Sequence, residues 1–343
     1  MPSNEHEITA PVDLCAPDGH RLNPSAKGWS RSILHRANLA GRWGRTKRWD
    51  YWAIQSEDFV IAVTVADIDY LGLVVLDWIE PHTHRTGGRA VMVPLARGVA
   101  LPDDAATGRL EFTSRNLRVA IDYRDEAADL SAQWTEKDGS GGNLTASVAA
   151  PAGHESLNVV IPWSETQFQF TSKHQARPAT GSVTIGDRTH ELGGAVGHAW
   201  GILDIGRGRW PYQTQWNWGG GSGYAASGEL IGVQIGGKWT DATGFTENGI
   251  ILDGRLIKIG EDLEWSYDWD RPLDPWIVRT ADRRLDLTLA PVHDRHANTN
   301  LGVLTNEVHQ VFGHWTGSVP DGAGSTLRVD EILGFAEEAR ARW

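Results

Sequence analysis

The chain has 343 residues, a formal net charge of -12 at pH 7 and one cysteine, Cys15. An acidic chain is not expected to bind nucleic acid, because phosphate neutralisation calls for a basic face. One cysteine excludes an intramolecular disulfide framework and a zinc site built on several thiolates. The N-terminus lacks the pattern of a secretory signal and no apolar run is long enough to span a bilayer, so we expect a cytoplasmic protein without a transmembrane segment.

In chain order, the patterns are those of strands. Residues 1–30 are rich in Pro, Gly and Asp and predict an irregular segment. Residues 59–66 are apolar at both alternating sets of positions, which predicts a strand buried on both faces, and residues 71–79 predict its antiparallel return. Between 89 and 160, short apolar alternations recur between turn residues, a spacing typical of a barrel or sandwich.

The second half continues this pattern. Asp253-Gly254 separates two apolar runs and predicts a hairpin with a type I′ turn. Residues 330–342 mix apolar and charged side chains, which predicts a short C-terminal amphipathic helix. We therefore predict an all-β protein with an irregular segment (1–30), an N-terminal β domain (31–175) and a C-terminal β domain (176–343).

Residues 193–223 contain the highest density of side chains suited to catalysis or ligand binding, with glycines, four tryptophans and one aspartate. A carboxyl group held among aromatic rings has a raised pKa, so Asp204 is a candidate proton donor. Tryptophan faces could stabilise a carbocation formed by that proton transfer. The predicted catalytic residues are Asp204, His198 and Tyr212, and the predicted substrate-binding residues are Trp200, Arg207, Arg209, Trp210, Trp216, Trp218 and Gln310.

Other interpretations of these residues stay open. Asp204 could pair with Arg207 or Arg209 and fix a turn, and Trp216 and Trp218, on one strand face, could belong to a core or to a pocket wall.

Two histidine pairs raise the question of a metal. His82-x-His84 and His293-x-x-His296 could each supply two imidazoles, with Asp294 as an oxygen ligand. No complete set of three ligands at short spacing is present, so we predict no metal.

Several motifs carry a resemblance to known families. The whole chain resembles a bacterial family known only as a domain of unknown function, through Gly28-Trp29-Ser30-Arg31, Lys47-Arg48-Trp49, Trp216-Asn217-Trp218 and Gly334-Phe335-Ala336-Glu337. More distantly, Gly181-x-Val183-x-Ile185, Gly194, Asp204 and Trp216-x-Trp218-Gly219 are similar to the second half of the carotenoid 1,2-hydratase and tocopherol cyclase group. That resemblance implies two lipocalin-like antiparallel β-barrel halves around an apolar tunnel, and acid catalysis on isoprenoid alkenes without a cofactor. Asp204 would be the proton donor.

These observations predict a cofactor-independent hydratase, dehydratase or cyclase, a lyase or isomerase that acts on a small hydrophobic alkene or alcohol such as a terpenoid. The alternative is a protein that binds a lipid or terpenoid without catalysis. A third possibility is a metal-assisted hydrolase that uses His293, Asp294 and His296. The sequence leaves the oligomeric state open.

Overall fold

The computed structural model describes residues 5–40, 43–300, 302 and 304–342, and nearly all of its regular structure is β-strand. The all-β prediction is confirmed. Two short 3-10 turns, Pro24–Ala26 and Gly194–Val196, are the helical elements of the described ranges. No helix in this part of the chain has the length and apolar character needed to cross a membrane.

The strands form two large antiparallel sheets and one small parallel pair. The parallel pair is β1 (Val12–Asp13) with β3 (His35–Arg36). The first large sheet has the order β7-β6-β5-β4-β15-β13-β11-β10-β9-β8, with β12 and β14 beside β13 and with β2 beside β12. Its strands are β2 (Trp29–Ser30), β4 (Thr46–Ser56), β5 (Val60–Asp67), β6 (Leu71–Glu80), β7 (Arg85–Pro94), β8 (Arg109–Thr113), β9 (Leu117–Tyr123), β10 (Ala127–Thr135), β11 (Gly141–Ala149), β12 (Leu157–Pro162), β13 (Phe168–Ile185), β14 (Arg188–Leu192) and β15 (Ala199–Arg209).

The second large sheet has the order β19-β18-β17-β16-β24-β23-β22-β21-β20. Its strands are β16 (Gln213–Tyr224), β17 (Leu230–Gly237), β18 (Asn248–Leu252), β19 (Arg255–Ile259), β20 (Glu264–Ser266), β21 (Trp276–Arg279), β22 (Asp286–Asn300), β23 (Thr305–Pro320) and β24 (Thr326–Arg342). The hairpin at Asp253-Gly254 joins β18 to β19 as predicted. Each sheet curls into a half-barrel, because twisted antiparallel strands close on their own apolar face.

The two sheets divide the chain between β15 and β16. Residues 210–212 connect them. The long strand β13 runs through the predicted domain boundary at 175/176, with a register shift between His174 and Arg177. The division into 31–175 and 176–343 therefore stays a prediction, whereas the hydrogen-bonded sheets group residues up to 209 and from 213 onward.

The predicted C-terminal helix is wrong. Residues 330–342 belong to β24, which pairs with β16 on one side and β23 on the other. A strand in the middle of a sheet that is covered on both faces is buried throughout, and residues 334–339 are all buried. Its side chains therefore lack the apolar–polar alternation of a strand that is exposed on one face. Tertiary contacts make these residues a strand, although their local sequence pattern resembles that of an amphipathic helix.

The sheets pack against each other through small and aromatic side chains. Trp52 and Ile54 of β4 face the core of the first sheet, whereas Ala53 belongs to a cluster with Trp218 and Phe335 of the second. The glycines of β16 permit this approach. A Cβ on Gly220 would lie 2.4 Å from the Gln175 amide nitrogen and 2.6 Å from the Phe335 ring, which leaves no room for a side chain.

A buried ion pair stabilises the first sheet. The guanidinium of Arg207 is fully buried and donates to the Asp50 carboxylate at 2.8 Å and to the Trp49 carbonyl at 2.7 Å. The second carboxylate oxygen of Asp50 accepts from the Tyr123 hydroxyl at 2.6 Å. Removal of one partner of such a network leaves an uncompensated charge in the core.

We expect Arg207→Ala to lower the free energy of unfolding by about 3–5 kcal/mol, because it leaves the Asp50 carboxylate buried without its cation. Urea titration measures this change. Arg109→Ala is the matched control, because Arg109 pairs with Glu111 at the surface with 53% of its side chain exposed, and we expect a much smaller loss of stability. Equal losses in the two variants would contradict this account.

Candidate active site

A cavity of about 260 Å³ lies between the two large sheets. Its wall combines aromatic rings with charged and polar groups from both sheets, and several of these groups are almost completely buried. The lining residues are Trp49, Tyr51, Thr64, Ala66, Ile68, Leu73, Thr171, Lys173, Asp204, Trp210, Trp216, Trp218, Trp239, Glu247, Arg295, Asn306, Val308, Gln310 and Glu337. Apolar walls with a few convergent polar groups are typical of small-molecule sites.

Strand pairing brings Asp204 to this cavity. Asp204 of β15 lies opposite Lys173 of β13 in register. One carboxylate oxygen of Asp204 is 3.0 Å from the Lys173 ammonium and accepts from the Thr171 hydroxyl at 3.1 Å, and the other accepts from the Trp49 indole at 3.1 Å. Gly206 makes room for that indole, since a Cβ there would lie 2.1 Å from the Trp49 ring. Surrounded by three donors, Asp204 has the environment of a carboxylate anion.

Lys173 links the two sheets through its charge. Its ammonium is 3.4 Å from the Glu247 carboxylate and 4.2 Å from the centroid of the Trp218 ring. Desolvation opposes the charged form, but the carboxylates of Asp204 and Glu247 outweigh it and raise the pKa of Lys173. Lys173 is therefore a permanent cation within the cavity wall.

Glu337 has a different environment. Its carboxyl group accepts from the Trp216 indole at 2.8 Å and from the Gln310 amide at 3.0 Å, which are both neutral donors. Burial raises the pKa of Glu337 to about 7, against the lowering effects of the Trp216 hydrogen bond and the Lys173 charge, and the nearby Asp204 charge adds to the rise. Glu337 can therefore exchange a proton near neutral pH.

Two further ionisable groups complete the cavity. Glu247 is 1% exposed and accepts from the Trp239 indole at 2.5 Å, and burial raises its pKa despite the opposing charge of Lys173. Burial also raises the pKa of the Tyr51 hydroxyl, so this phenol stays neutral.

Arg295 separates the cavity from a second space. It pairs with Asp77 of β6, and it lines both the cavity and an outer cleft of about 900 Å³. The outer cleft is larger, but the buried carboxyl groups with raised pKa values, Glu247 and Glu337, line the inner cavity. The chemistry therefore favours the smaller, inner cavity as the functional site.

Tryptophan rings form one side of the cavity around Trp210. The Trp210 ring lies 5.8 Å from that of Trp49, 6.0 Å from that of Trp216 and 5.1 Å from that of Trp239, with the last pair stacked. Trp163 packs behind, with its centroid 4.9 Å from Trp210. Such faces carry negative electrostatic potential and attract cations.

The structure brings together half of the residues expected from the sequence. The cavity is lined by Asp204, Trp210, Trp216, Trp218 and Gln310. Trp216 and Trp218 are thus pocket wall, although Trp218 also contributes to the core between the sheets.

The other expected residues lie elsewhere, so their placement at the site is corrected. Arg207 and Arg209 point to the opposite face of β15 from Asp204, and Arg209 binds the carbonyl groups of Gly19, His20 and Ala40. The ion-pair partner of Asp204 is Lys173, whereas Arg207 pairs with Asp50. Residues an odd number apart on a strand face opposite sides, which explains the difference.

His198, Trp200 and Tyr212 do not line the cavity either. His198 is exposed and stacks on Trp200, whose ring also contacts Tyr224. Trp200 lies four residues from Asp204 along β15, a distance of about 13 Å in a strand. Tyr212 is 45% exposed in the connection between the sheets.

Sequence reasoning missed the groups that give the cavity its charge: Lys173, Glu247, Arg295 and Glu337. Glu337 lies within the residues predicted as a helix. On β24, it becomes a diagonal cross-strand neighbour of Trp216 on β16, and this pairing is the signal that could have been found. Nothing in the local sequence distinguishes Glu247.

The histidine pairs do not form a metal centre in the described part of the chain, where no three His, Cys, Asp or Glu side chains converge as a ligand set. His84 and His293 contact each other at 3.2 Å, whereas His296 stacks on His309. His309 in turn binds Asp294 at 2.8 Å. His293, Asp294 and His296 lie on β22 and His309 on β23, whereas His84 lies in the turn between β6 and β7.

Comparison with known proteins assigns the chain to a family. The family model described as a domain of unknown function, DUF2804, matches residues 5–343. The chain belongs to this family. The whole-chain resemblance noted from the sequence is thus confirmed. No curated protein matches the chain.

Two solved structures are similar over most of their length. CghA with Sch210972 is 9% identical, with a TM-score of 0.48 over 87% of this chain and 89% of that chain. Kievitone hydratase from Nectria haematococca is 9% identical, with a TM-score of 0.45 over 88% of this chain and 89% of that chain. At this level of similarity, the activity of this family member has to be argued from its own site.

We expect the stability of the protein to depend on pH through Glu337. Its pKa is raised from 4.5 to about 7 in the folded state, so the folded state binds the proton more tightly. The resulting stabilisation is complete below pH 4.5 and is lost as pH rises through 7, about 3 kcal/mol in all. Urea titrations from pH 4.5 to pH 8 should show this decline relative to Glu337→Gln, which cannot ionise. Parallel curves for the two proteins would contradict the assignment.

Proposed function

We propose that this protein is a cofactor-independent lyase or isomerase, a hydratase, dehydratase or cyclase that acts by acid catalysis on a small hydrophobic alkene or alcohol. The observation that carries the proposal is the Glu337 carboxyl group, which has a pKa of about 7 and faces a cavity walled by tryptophan. A proton donor is most effective when its pKa lies near the working pH.

Two carboxyl groups in one cavity suit opposite roles. Asp204 is held as an anion by the Lys173 ammonium, whereas Glu337 has only neutral donors. Environments that separate the protonation states of two carboxyl groups are typical of an acid and a base in the same site. We assign Glu337 as the proton donor and Asp204 as the proton acceptor.

The proposed reaction begins with transfer of the Glu337 proton. In the hydration direction, the proton forms a C–H bond at one alkene carbon and leaves a carbocation at the other. Water adds to the cation and loses a proton to Asp204. Alternatively, a second double bond of the substrate adds to the cation and closes a ring, and the new cation then loses a C–H proton to Asp204 or adds water in the same way. In the dehydration direction, Glu337 protonates the alcohol oxygen, water leaves, and Asp204 accepts a C–H proton, which gives the alkene. Proton exchange with water then returns both carboxyl groups to their starting states.

The cavity wall suits the cationic stage. Trp49, Trp210, Trp216 and Trp218 present ring faces or edges to the enclosed space. Cation–π attraction is strongest for tryptophan and grows when water is excluded. The volume of about 260 Å³ lies just below the roughly 300–1,000 Å³ typical of drug-sized ligands, so the proposed substrate is smaller than a carotenoid.

We expect the protein to exchange the hydroxyl oxygen of a tertiary terpenoid alcohol with water. Linalool or α-terpineol incubated with the protein in ¹⁸O-water should gain the label, or form the alkene, as measured by mass spectrometry. Glu337→Gln should lower the rate by about 100-fold or more, because it removes the general acid. Glu307→Gln is the matched control, since Glu307 lies on β23 with its side chain 38% exposed and pairs with His296 outside the cavity.

The rate should also depend on pH in a defined direction. Because Glu337 must be protonated, the exchange rate should fall as pH rises through about 7. Full activity in Glu337→Gln, or a rate that rises with pH across this range, would overturn the assignment of the acid. If the alcohols bind but are recovered unlabelled and unchanged, the protein is a carrier.

A further inference from the structure

The cavity is lined by more acidic groups than basic groups. Three carboxyl groups line it, those of Asp204, Glu247 and Glu337, against two cationic groups. One of the cations, Arg295, already pairs with Asp77, which lines the outer cleft and not the cavity. The second, Lys173, is shared between Asp204 and Glu247.

Glu337 is the carboxyl group left over. Among the described residues, no lysine or arginine forms an ion pair with it, and its carboxyl group accepts from the neutral donors of Trp216 and Gln310. It is 7% exposed and faces the cavity. A buried carboxylate without a counter-charge is costly, so this position favours either a bound proton or a bound cation.

Lys173 shows how the cavity accommodates an ammonium group. The protein holds this nearly buried ammonium with two carboxylates and with the face of Trp218, at 4.2 Å from the ring centroid. The same elements are present around the remaining space, where Glu337 binds the indole N–H of Trp216, whose ring lies 6.0 Å from that of Trp210. Carboxylates with aromatic faces are the elements that recognise alkylammonium ligands.

We infer that the cavity is a binding site for a small organic cation, a quaternary or protonated tertiary amine, held between Glu337 and the tryptophan faces. The site shares its residues with the proposed function, but binding of the cation does not require turnover. The same three carboxyl groups disfavour a carboxylate or phosphate ligand, because like charges repel in a low-dielectric space.

Cation binding is coupled to proton release. A bound cation lowers the pKa of Glu337, while Lys173, Asp204, Glu247, Arg295 and Tyr51, the other ionisable groups of the cavity, set its starting value. Since the site competent for a cation is the ionised one, the apparent affinity follows the ionised fraction of Glu337. With a pKa of about 7, that fraction rises about tenfold from pH 6 to pH 8.

The test compares choline with 3,3-dimethylbutan-1-ol, a neutral molecule of nearly the same shape in which carbon replaces the charged nitrogen. We expect isothermal titration calorimetry to show at least tenfold tighter binding of choline at pH 8. Its affinity should rise about tenfold from pH 6 to pH 8, with that of the neutral alcohol unchanged. Titrations at pH 7 in buffers of different ionisation enthalpy should show protons released by the protein, because choline itself has none to lose.

Glu337→Gln should remove both the preference for choline and its pH dependence, whereas Glu307→Gln should keep them. The comparison of the two ligands in the unsubstituted protein needs no variant, so it decides the matter even if Glu337→Gln folds poorly. Equal affinity for the two ligands at pH 8, or proton uptake on binding, would overturn the inference. Choline binding without oxygen exchange in the alcohols would refute the proposed reaction alone, and exchange without a preference for choline would refute the cation site alone.

Discussion

The ammonium group of Lys173 is the constraint on which the arrangement of the two sheets depends. It is only 6% exposed, too little to keep its hydration, so it needs anions from its own surroundings. Asp204 on β15 supplies one and Glu247, just before β18, supplies the other. One charge therefore fixes the first sheet to the second at the position where the cavity forms. Separation of the sheets would leave the buried Glu247 carboxylate without its cation.

The position of Lys173 also decides which carboxyl groups are neutralised. Asp204 and Glu247 form ion pairs with Lys173, whereas Glu337 on β24 forms none and is influenced by that charge only at longer range. Burial then acts on Glu337 without a close counter-charge and raises its pKa to about 7. Glu337 is thus the proposed proton donor of the cavity because Lys173 forms ion pairs with Asp204 and Glu247 but not with Glu337. The tryptophan donors fix the direction of each carboxyl group without adding charge.

The sequence predicts the strands well wherever local chemistry decides them, as at the hairpin of Asp253-Gly254. It also predicts Asp204 and the tryptophans of β16 as cavity residues, because they stand close together in the chain. The local sequence does not distinguish Glu337, since its partners Trp216 and Gln310 come from strands 121 and 27 residues away. The residues assigned to the site by sequence proximity alone, such as Arg207, fail because the alternation of a strand turns them to the opposite face.

The tryptophan cluster gives the cavity an optical property. The rings of Trp210 and Trp239 lie 5.1 Å apart at 19° to each other, and Trp163 approaches Trp210 at 4.9 Å. Because the transition dipoles of indole rings at such distances couple, the rings absorb circularly polarised ultraviolet light as a coupled group rather than as separate chromophores. Any molecule that shifts one ring changes that coupling. Ligand binding in the cavity can therefore be followed from the ultraviolet signal of these tryptophans, without an added label.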